Sequence, residues 1–236
     1  MPALQPPAIA TLRPIRQRAW SDYRLIALDM DSTLLRIETL DVLAAAHGLQ
    51  EKMAAMTEAA MQGQVADYAS DLQRRVALLR GMRAEHLQCI DVMQQLSPGA
   101  TTLIAHCRQQ GLHCMVISSG FTYYAQQIQQ GLGMQAVRAN VLDIQNGVLT
   151  GALLPQPGAL FVDRQEKKNA LLHACAQLGI APEQAIAVGD GANDVDMITA
   201  AGLGVAFHAK PVLRAQADLA IDSGGLDALV QFLQPA

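Results

Sequence analysis

Two pairs of aspartates stand where an apolar run gives way to a turn: Asp29 and Asp31 in Asp29-Met30-Asp31-Ser32-Thr33, and Asp190 and Asp194 in Gly189-Asp190-Gly191-Ala192-Asn193-Asp194. Carboxylates one residue apart, on a chain that is leaving a strand, can both face one small site. Crowded like charges push one pKa upward, so one aspartate can stay anionic as a nucleophile or metal ligand while its neighbour keeps a proton and acts as an acid. In the second cluster the glycines let the backbone turn tightly beside a ligand, and carboxylates four residues apart share a site if a helix begins between them. Oxygen-only donors of this kind suit a hard cation such as magnesium. Helix capping by Asp, Ser, Thr or Asn explains each turn separately. It does not explain why a second acidic turn stands at the equivalent end of another apolar run.

Two further segments could serve an anion. Ser118-Ser119-Gly120-Phe121 lies where a strand meets a helix, and a hydroxyl with free backbone amides at such a junction forms an anion site, although the same residues also make ordinary turns. Lys167 lies in the charged run Asp163-Arg164-Gln165-Glu166-Lys167-Lys168, which opens a helix; runs like this are usually solvated faces.

The elements that must position these residues follow from the apolar pattern. Short apolar runs at 25–28, 114–117, 185–188 and 203–207 end in polar or glycine-rich turns, as buried parallel strands do. Segments with helical spacing at 100–110, 121–132, 168–178 and 194–201 lie between them. The alternation specifies an α/β fold with a doubly wound parallel sheet, in which sites form at the carboxyl ends of strands. All four chemical segments fall at such ends or at the helix start that follows one. From 37 to 96 the pattern is wholly helical, with Gly48, Gly63 and Gly81 as breaks, and is read as a helical-bundle cap inserted into a core of 23–36 and 97–236. Residues 141–154 alternate on either side of Asn146-Gly147, a hairpin signal. Residues 1–22 carry four prolines and are expected to form a loose extension.

Composition excludes several classes. The 236 residues are 51% hydrophobic and 16% charged with a formal net charge of −4, so no basic surplus exists for nucleic acid, and the length suffices for a full core. No apolar run reaches the roughly 18 residues that span a bilayer, and the N-terminus lacks the apolar core of a secretory signal. The four cysteines, Cys89, Cys107, Cys114 and Cys175, are widely spaced and read as buried reduced thiols of a cytoplasmic protein.

In order and spacing the four segments resemble the haloacid dehalogenase superfamily, and Asp31 marks its phosphatases. The segments Asp29 to Glu38, Ala60-Met61-Gln62-Gly63, Arg74-Arg75-Val76, Gly147-Val148-Leu149-Thr150-Gly151 and 205–211 are similar to the phosphoserine phosphatase branch, over nearly all of residues 24–233. This resemblance implies Asp29 as the nucleophile and Asp31 as the acid and base. It implies Mg2+ held by the Asp29 carboxylate, the Asp31 carbonyl and Asp190, with Asp194 orienting the ion's waters from behind. Ser118, the Ser119 amide, Lys167 and Asn193 would bind the phosphoryl group, while Glu38 and Arg75 would meet the ammonium and carboxylate of a phosphoserine substrate. Met61 and Tyr68 would pack nearby. Ser119 stands where the family usually has glycine, and Arg74 and Lys168 adjoin the matched residues. Phosphothreonine, phosphohomoserine or a sugar phosphate are alternative substrates; a catalytically silent phosphate-binding protein is the alternative of another class.

Overall fold

The computed structural model describes residues 7–16 and 19–233. The strands are β1 (Ala8–Thr11), β2 (Leu25–Leu28), β3 (His113–Phe121), β4 (Ala136–Gln145), β5 (Val148–Leu154), β6 (Ala185–Gly189), β7 (Leu203–Phe207) and β8 (Leu219–Ser223), in the sheet order β1-β8-β7-β6-β2-β3-β4-β5. From β8 across to β4 all neighbours are parallel, and antiparallel β1 and β5 close the two edges. Every residue of β2, β6 and β7 is buried, because helices cover both faces. α4 (Ala100–Gln109), α5 (Thr122–Leu132) and α9 (Ala228–Phe232) share one apolar core with the sheet, and α6 (Arg164–Leu178), α7 (Val195–Ala200) and α8 (Pro211–Arg214) share the other.

Between β2 and β3 lie α1 (Thr39–Ala45), α2 (Gln50–Met61) and α3 (Tyr68–Ala77). The expectation of a wholly helical stretch fails beyond residue 77. Residues 78–96 hold only a short 3-10 turn at Ala84–Cys89, since Gly81 N–H donates to Leu149 O at 3.0 Å and Leu149 N–H donates to Met82 O at 2.8 Å. The backbone of β5 supplies the partners that a helix would otherwise supply internally. β4 and β5 turn at Asn146 (φ 51°) and Gly147 (φ 75°), the left-handed pair that a two-residue hairpin turn requires.

The N-terminal expectation is corrected as well. Residues 8–11 are not loose: they pair as β1 with β8, Ile9 opposite Ile221, and Trp20 is 1% exposed, its ring edge-on to His106 at 4.8 Å. The edge of β8 offers unpaired backbone groups, and a short strand satisfies them whatever the proline content around it. Residues 1–6 and 17–18 of that stretch lie outside the described residues. All four cysteines are free; Cys89 is exposed, contrary to expectation, and the other three are buried. Among the described residues no helix is long and apolar enough to cross a membrane.

Candidate active site

β2 ends in a wide turn that places two carboxylates on one pocket. Asp29 N–H donates to Val188 O at 3.0 Å, continuing the β2–β6 ladder by one residue, and the chain then reverses through Ser32, whose φ is 55°. Leu34 N–H and Leu35 N–H close the turn onto Asp29 O and Met30 O at 3.3 and 2.8 Å. Asp29 Oδ1 accepts from Met30 N–H at 2.7 Å, and Asp29 Oδ2 pairs with Lys167 Nζ at 2.8 Å. Asp31 is held at the start of α1, accepting from the Thr39 amide at 3.0 Å and the Thr39 hydroxyl at 3.2 Å.

The end of β6 brings the second acidic pair to the same place. Asp194 Oδ2 accepts from the amides of Asp190 and Gly191 at 3.1 and 3.3 Å, and Asp194 Oδ1 accepts from Lys167 Nζ at 2.7 Å. A Cβ on Gly189 would lie 2.4 Å from Asp194 Cγ, and a Cβ on Gly120 would lie 2.6 Å from Asp31 Oδ2. Glycine at these two strand ends is therefore what lets the acidic turns close together. Lys167 reaches the site because Asp163 caps α6, accepting from Glu166 N–H at 2.8 Å, which puts Lys167 in the first turn facing inward. Its side chain is fully buried, whereas Lys168 is only half-buried.

Carboxylates of Asp29, Asp190 and Asp194 have oxygens within 4.8 Å of one another. Burial, then the Asp194 charge, raises Asp29 to about 7 despite Lys167. Burial, Glu38 and Asp29 hold Asp31 well above its ordinary value, and burial with Asp194 does the same to Asp190. Lys167 is held fully charged, since Asp194 and Asp29 outweigh the burial that opposes its charge. Once these aspartates ionise, one lysine leaves the cluster with uncompensated negative charge. An all-oxygen donor set with excess negative charge fits Mg2+; Asp190, which among the described residues accepts only from the Thr33 hydroxyl at 3.4 Å, is its freest member, whereas Asp29 and Asp194 each also meet Lys167 and backbone amides.

The helical segment supplies the opposite wall of the pocket, which Leu40, Met61, Tyr68 and Leu72 line with Glu38 and Arg75. Glu38 Oε1 accepts from Ser32 Oγ at 2.6 Å, and burial raises its pKa. Arg75 is 3% exposed, donates from Nε to Asp71 Oδ2 at 2.9 Å, and lies over the Tyr68 ring at 5.7 Å. The Arg74 side chain is 69% exposed and points away. Arg75 Nη2, Ser119 Oγ and Asn193 Oδ1 are buried without a formed hydrogen bond, and all three residues line the pocket. Ser118, three residues before the end of β3, accepts from Gly120 N–H at 2.9 Å. Of the residues singled out from the sequence, Asp29, Asp31, Glu38, Arg75, Ser118, Ser119 and Asn193 line this pocket, Lys167 pairs with Asp29, and Asp190 and Asp194 cluster with Asp29 beside it.

Positioning residues were missed. Asp71, four before Arg75, is a helical ion-pair spacing readable from the sequence. Thr39 and Thr33, whose hydroxyl donates to Asp190 Oδ1 at 3.4 Å, carry no such signal, nor does Asn140. Buried Asn140 donates to Ser119 O at 2.8 Å and Val162 O at 3.1 Å and accepts from Val162 N–H at 2.7 Å, tying β3 to the loop before α6.

Comparison with known proteins agrees with this geometry. The family model of haloacid dehalogenase-like hydrolases matches residues 26–199. A phosphoserine phosphatase of Albidiferax ferrireducens is 50% identical over 216 residues, covering 91% of each chain. A solved phospho-aspartyl intermediate analogue of phosphoserine phosphatase superposes with a TM-score of 0.83 at 31% identity, covering 90% of this chain and 99% of the other. A substrate-bound phosphoserine phosphatase complex gives the same values. The chain belongs to the haloacid dehalogenase-like hydrolases and, within them, to the phosphoserine phosphatases.

Proposed function

We infer that this chain is a magnesium-dependent phosphoric monoester hydrolase that converts O-phospho-L-serine to L-serine and phosphate, the last step in forming serine, through an aspartyl-phosphate on Asp29. The carrying observation is the polarity of one pocket. A carboxylate cluster with a buried lysine lies at the strand ends, and a glutamate with a buried arginine lies opposite. That polarity matches a phosphate at one end of the substrate and an ammonium with a carboxylate at the other.

In this reading Asp29 attacks phosphorus while Asp31, kept protonated by its surroundings, gives its proton to the departing serine oxygen as the P–O bond breaks. Asp31 then takes a proton from the water that attacks the aspartyl-phosphate, releasing phosphate and freeing Asp29. Thr39 aims Asp31 in both steps. Lys167, Ser118, the Ser119 amide and Asn193 gather the phosphoryl oxygens, so most of the work is positioning and electrostatics. Mg2+, when bound by the Asp29 and Asp190 carboxylates and the Asp31 carbonyl, supplies the charge that offsets repulsion between carboxylate and phosphate. Asp194 supports it by holding the Asp190 turn and Lys167 in place. We take residues 37–96 as a cap over the core of 23–36 and 97–236. Free thiols fit a reducing, cytoplasmic compartment.

The test is steady-state hydrolysis of phosphoserine against phosphothreonine, phosphohomoserine, a sugar phosphate and an aryl phosphate, with Mg2+ and with a chelator. The expected result is the highest kcat/KM for phosphoserine, lost on chelation. Higher kcat/KM for a substrate lacking the amino acid group would overturn the substrate assignment.

A further inference from the structure

Ser119 carries a side chain where the proposed reaction uses only its backbone amide. The residue is 6% exposed, and its hydroxyl oxygen is buried with no hydrogen bond formed. A buried hydroxyl left unmet costs about 1–3 kcal/mol, a cost that a ligand supplying the missing partner recovers. Its place in the fold points to such a ligand. Successive residues of a strand face opposite ways, yet Ser118 and Ser119 both line the pocket, where the β3–β4 pairing shifts register between Ile117 and Phe121. The main chain there is anchored: Asn140 donates to Ser119 O at 2.8 Å and is itself bonded to the Val162 backbone in both directions. A fixed backbone thus holds an unused hydroxyl at the pocket wall.

We propose that the Ser119 hydroxyl donates a hydrogen bond to a phosphoryl oxygen of the bound substrate, so that one residue grips the phosphate through both its amide and its side chain. Oγ is joined to the amide nitrogen through only Cα and Cβ. A phosphoryl oxygen that meets the amide therefore brings another of the group's oxygens within reach of Oγ. Ionised phosphoryl oxygens only accept, which fixes the hydroxyl as the donor. Ser118 differs, since its Oγ already accepts from Gly120 N–H at 2.9 Å. The contact sees the phosphoryl group and nothing else of the substrate, whereas Arg75 on the opposite wall faces the amino acid end. No covalent bond forms or breaks in it. The inference rests on the phosphomonoesterase reading for the identity of the ligand group, and its principal test reads binding rather than turnover.

The probe is inorganic phosphate, titrated calorimetrically into the full chain in excess Mg2+, for wild type, Ser119→Ala and Ser119→Gly. Each variant loses a hydrogen bond to a charged oxygen and should bind phosphate about tenfold more weakly. Wild-type or tighter binding by Ser119→Gly would show that the side chain obstructs the phosphate instead of holding it, and would overturn the contact. Without ligand, Ser119→Ala should melt no lower than wild type, because it deletes an unmet group. A lower midpoint with unchanged phosphate affinity would give the hydroxyl a partner inside the protein and refute the proposal. In Ser119→Ala, KM for phosphoserine and for an aryl phosphate should rise by the same factor; a rise confined to phosphoserine would move the contact to the amino acid end. Phosphate binding that weakens in both variants, in a protein whose wild type does not hydrolyse phosphoserine, would sink the substrate reading and leave the contact standing.

Discussion

The two walls of the pocket are held by different means. At the strand ends the backbone does the holding: Asp29 sits on the extended β2–β6 ladder, and Asp194 receives the amides of its own turn. On the helical wall side chains hold side chains, Glu38 by Ser32 and Arg75 by Asp71. Any substitution except by proline leaves a backbone amide in place, but any substitution can delete a side-chain partner. The strand-end wall is therefore robust in geometry and intolerant in chemistry, and the helical wall is adjustable in both.

Four substitutions or conditions break or sharpen that contrast. Asp29→Asn should reduce kcat for phosphoserine on the order of 10⁴-fold or more, with an unchanged circular dichroism spectrum, because it removes the nucleophile and leaves the ladder intact. Substantial turnover by this variant would remove Asp29 from the reaction. Arg75→Ala should raise KM for phosphoserine about a hundredfold while changing KM for an aryl phosphate by less than about threefold, since only the former carries a carboxylate to pair. Equal changes for both substrates would show that the helical wall does not select.

Asp71→Asn tests whether side-chain anchoring is the real difference. It keeps Arg75 but releases its Nε partner, so KM for phosphoserine should rise about tenfold, between wild type and Arg75→Ala, with kcat affected less. A KM equal to that of wild type would mean that Arg75 needs no anchor.

The smallest effect concerns pH. Asp29 rises from 3.8 to about 7, and Asp31 and Asp190 also rise, so the folded state favours their protonated forms. A chelated sample therefore loses stability as pH climbs from about 4 through about 7 and Asp29 ionises, and loses more as pH rises through the raised values of Asp31 and Asp190. Mg2+ competes with their protons below that window and relieves their repulsion above it. The thermal midpoint should accordingly rise by a few degrees more on adding Mg2+ at about pH 8 than at about pH 5.5. The reverse order would place the charge excess elsewhere than in this cluster.

Some of this protein is local in origin and could be read along the chain. Apolar runs of Leu25–Leu28 and Ala185–Gly189 type, buried on both faces, declare central strands, and acidic turns directly after them declare a site at the strand ends. Asp29, Asp31, Asp190 and Asp194 were accessible for that reason, and so was the Asn146-Gly147 turn, whose conformation depends on those two residues alone. β1 was not, because the strand it pairs with, β8, lies more than two hundred residues away. Nor was the end of the helical segment near residue 77, set by hydrogen bonds to β5 that no local pattern contains. The choices of Lys167 over Lys168 and Arg75 over Arg74 needed the fold as well, since adjacent residues of one type differ only in which way the helix turns them. Asn140 and the unpaired Ser119 hydroxyl lie at the same limit: a hydrogen bond between distant segments, or its absence, exists only once the chain has brought them together.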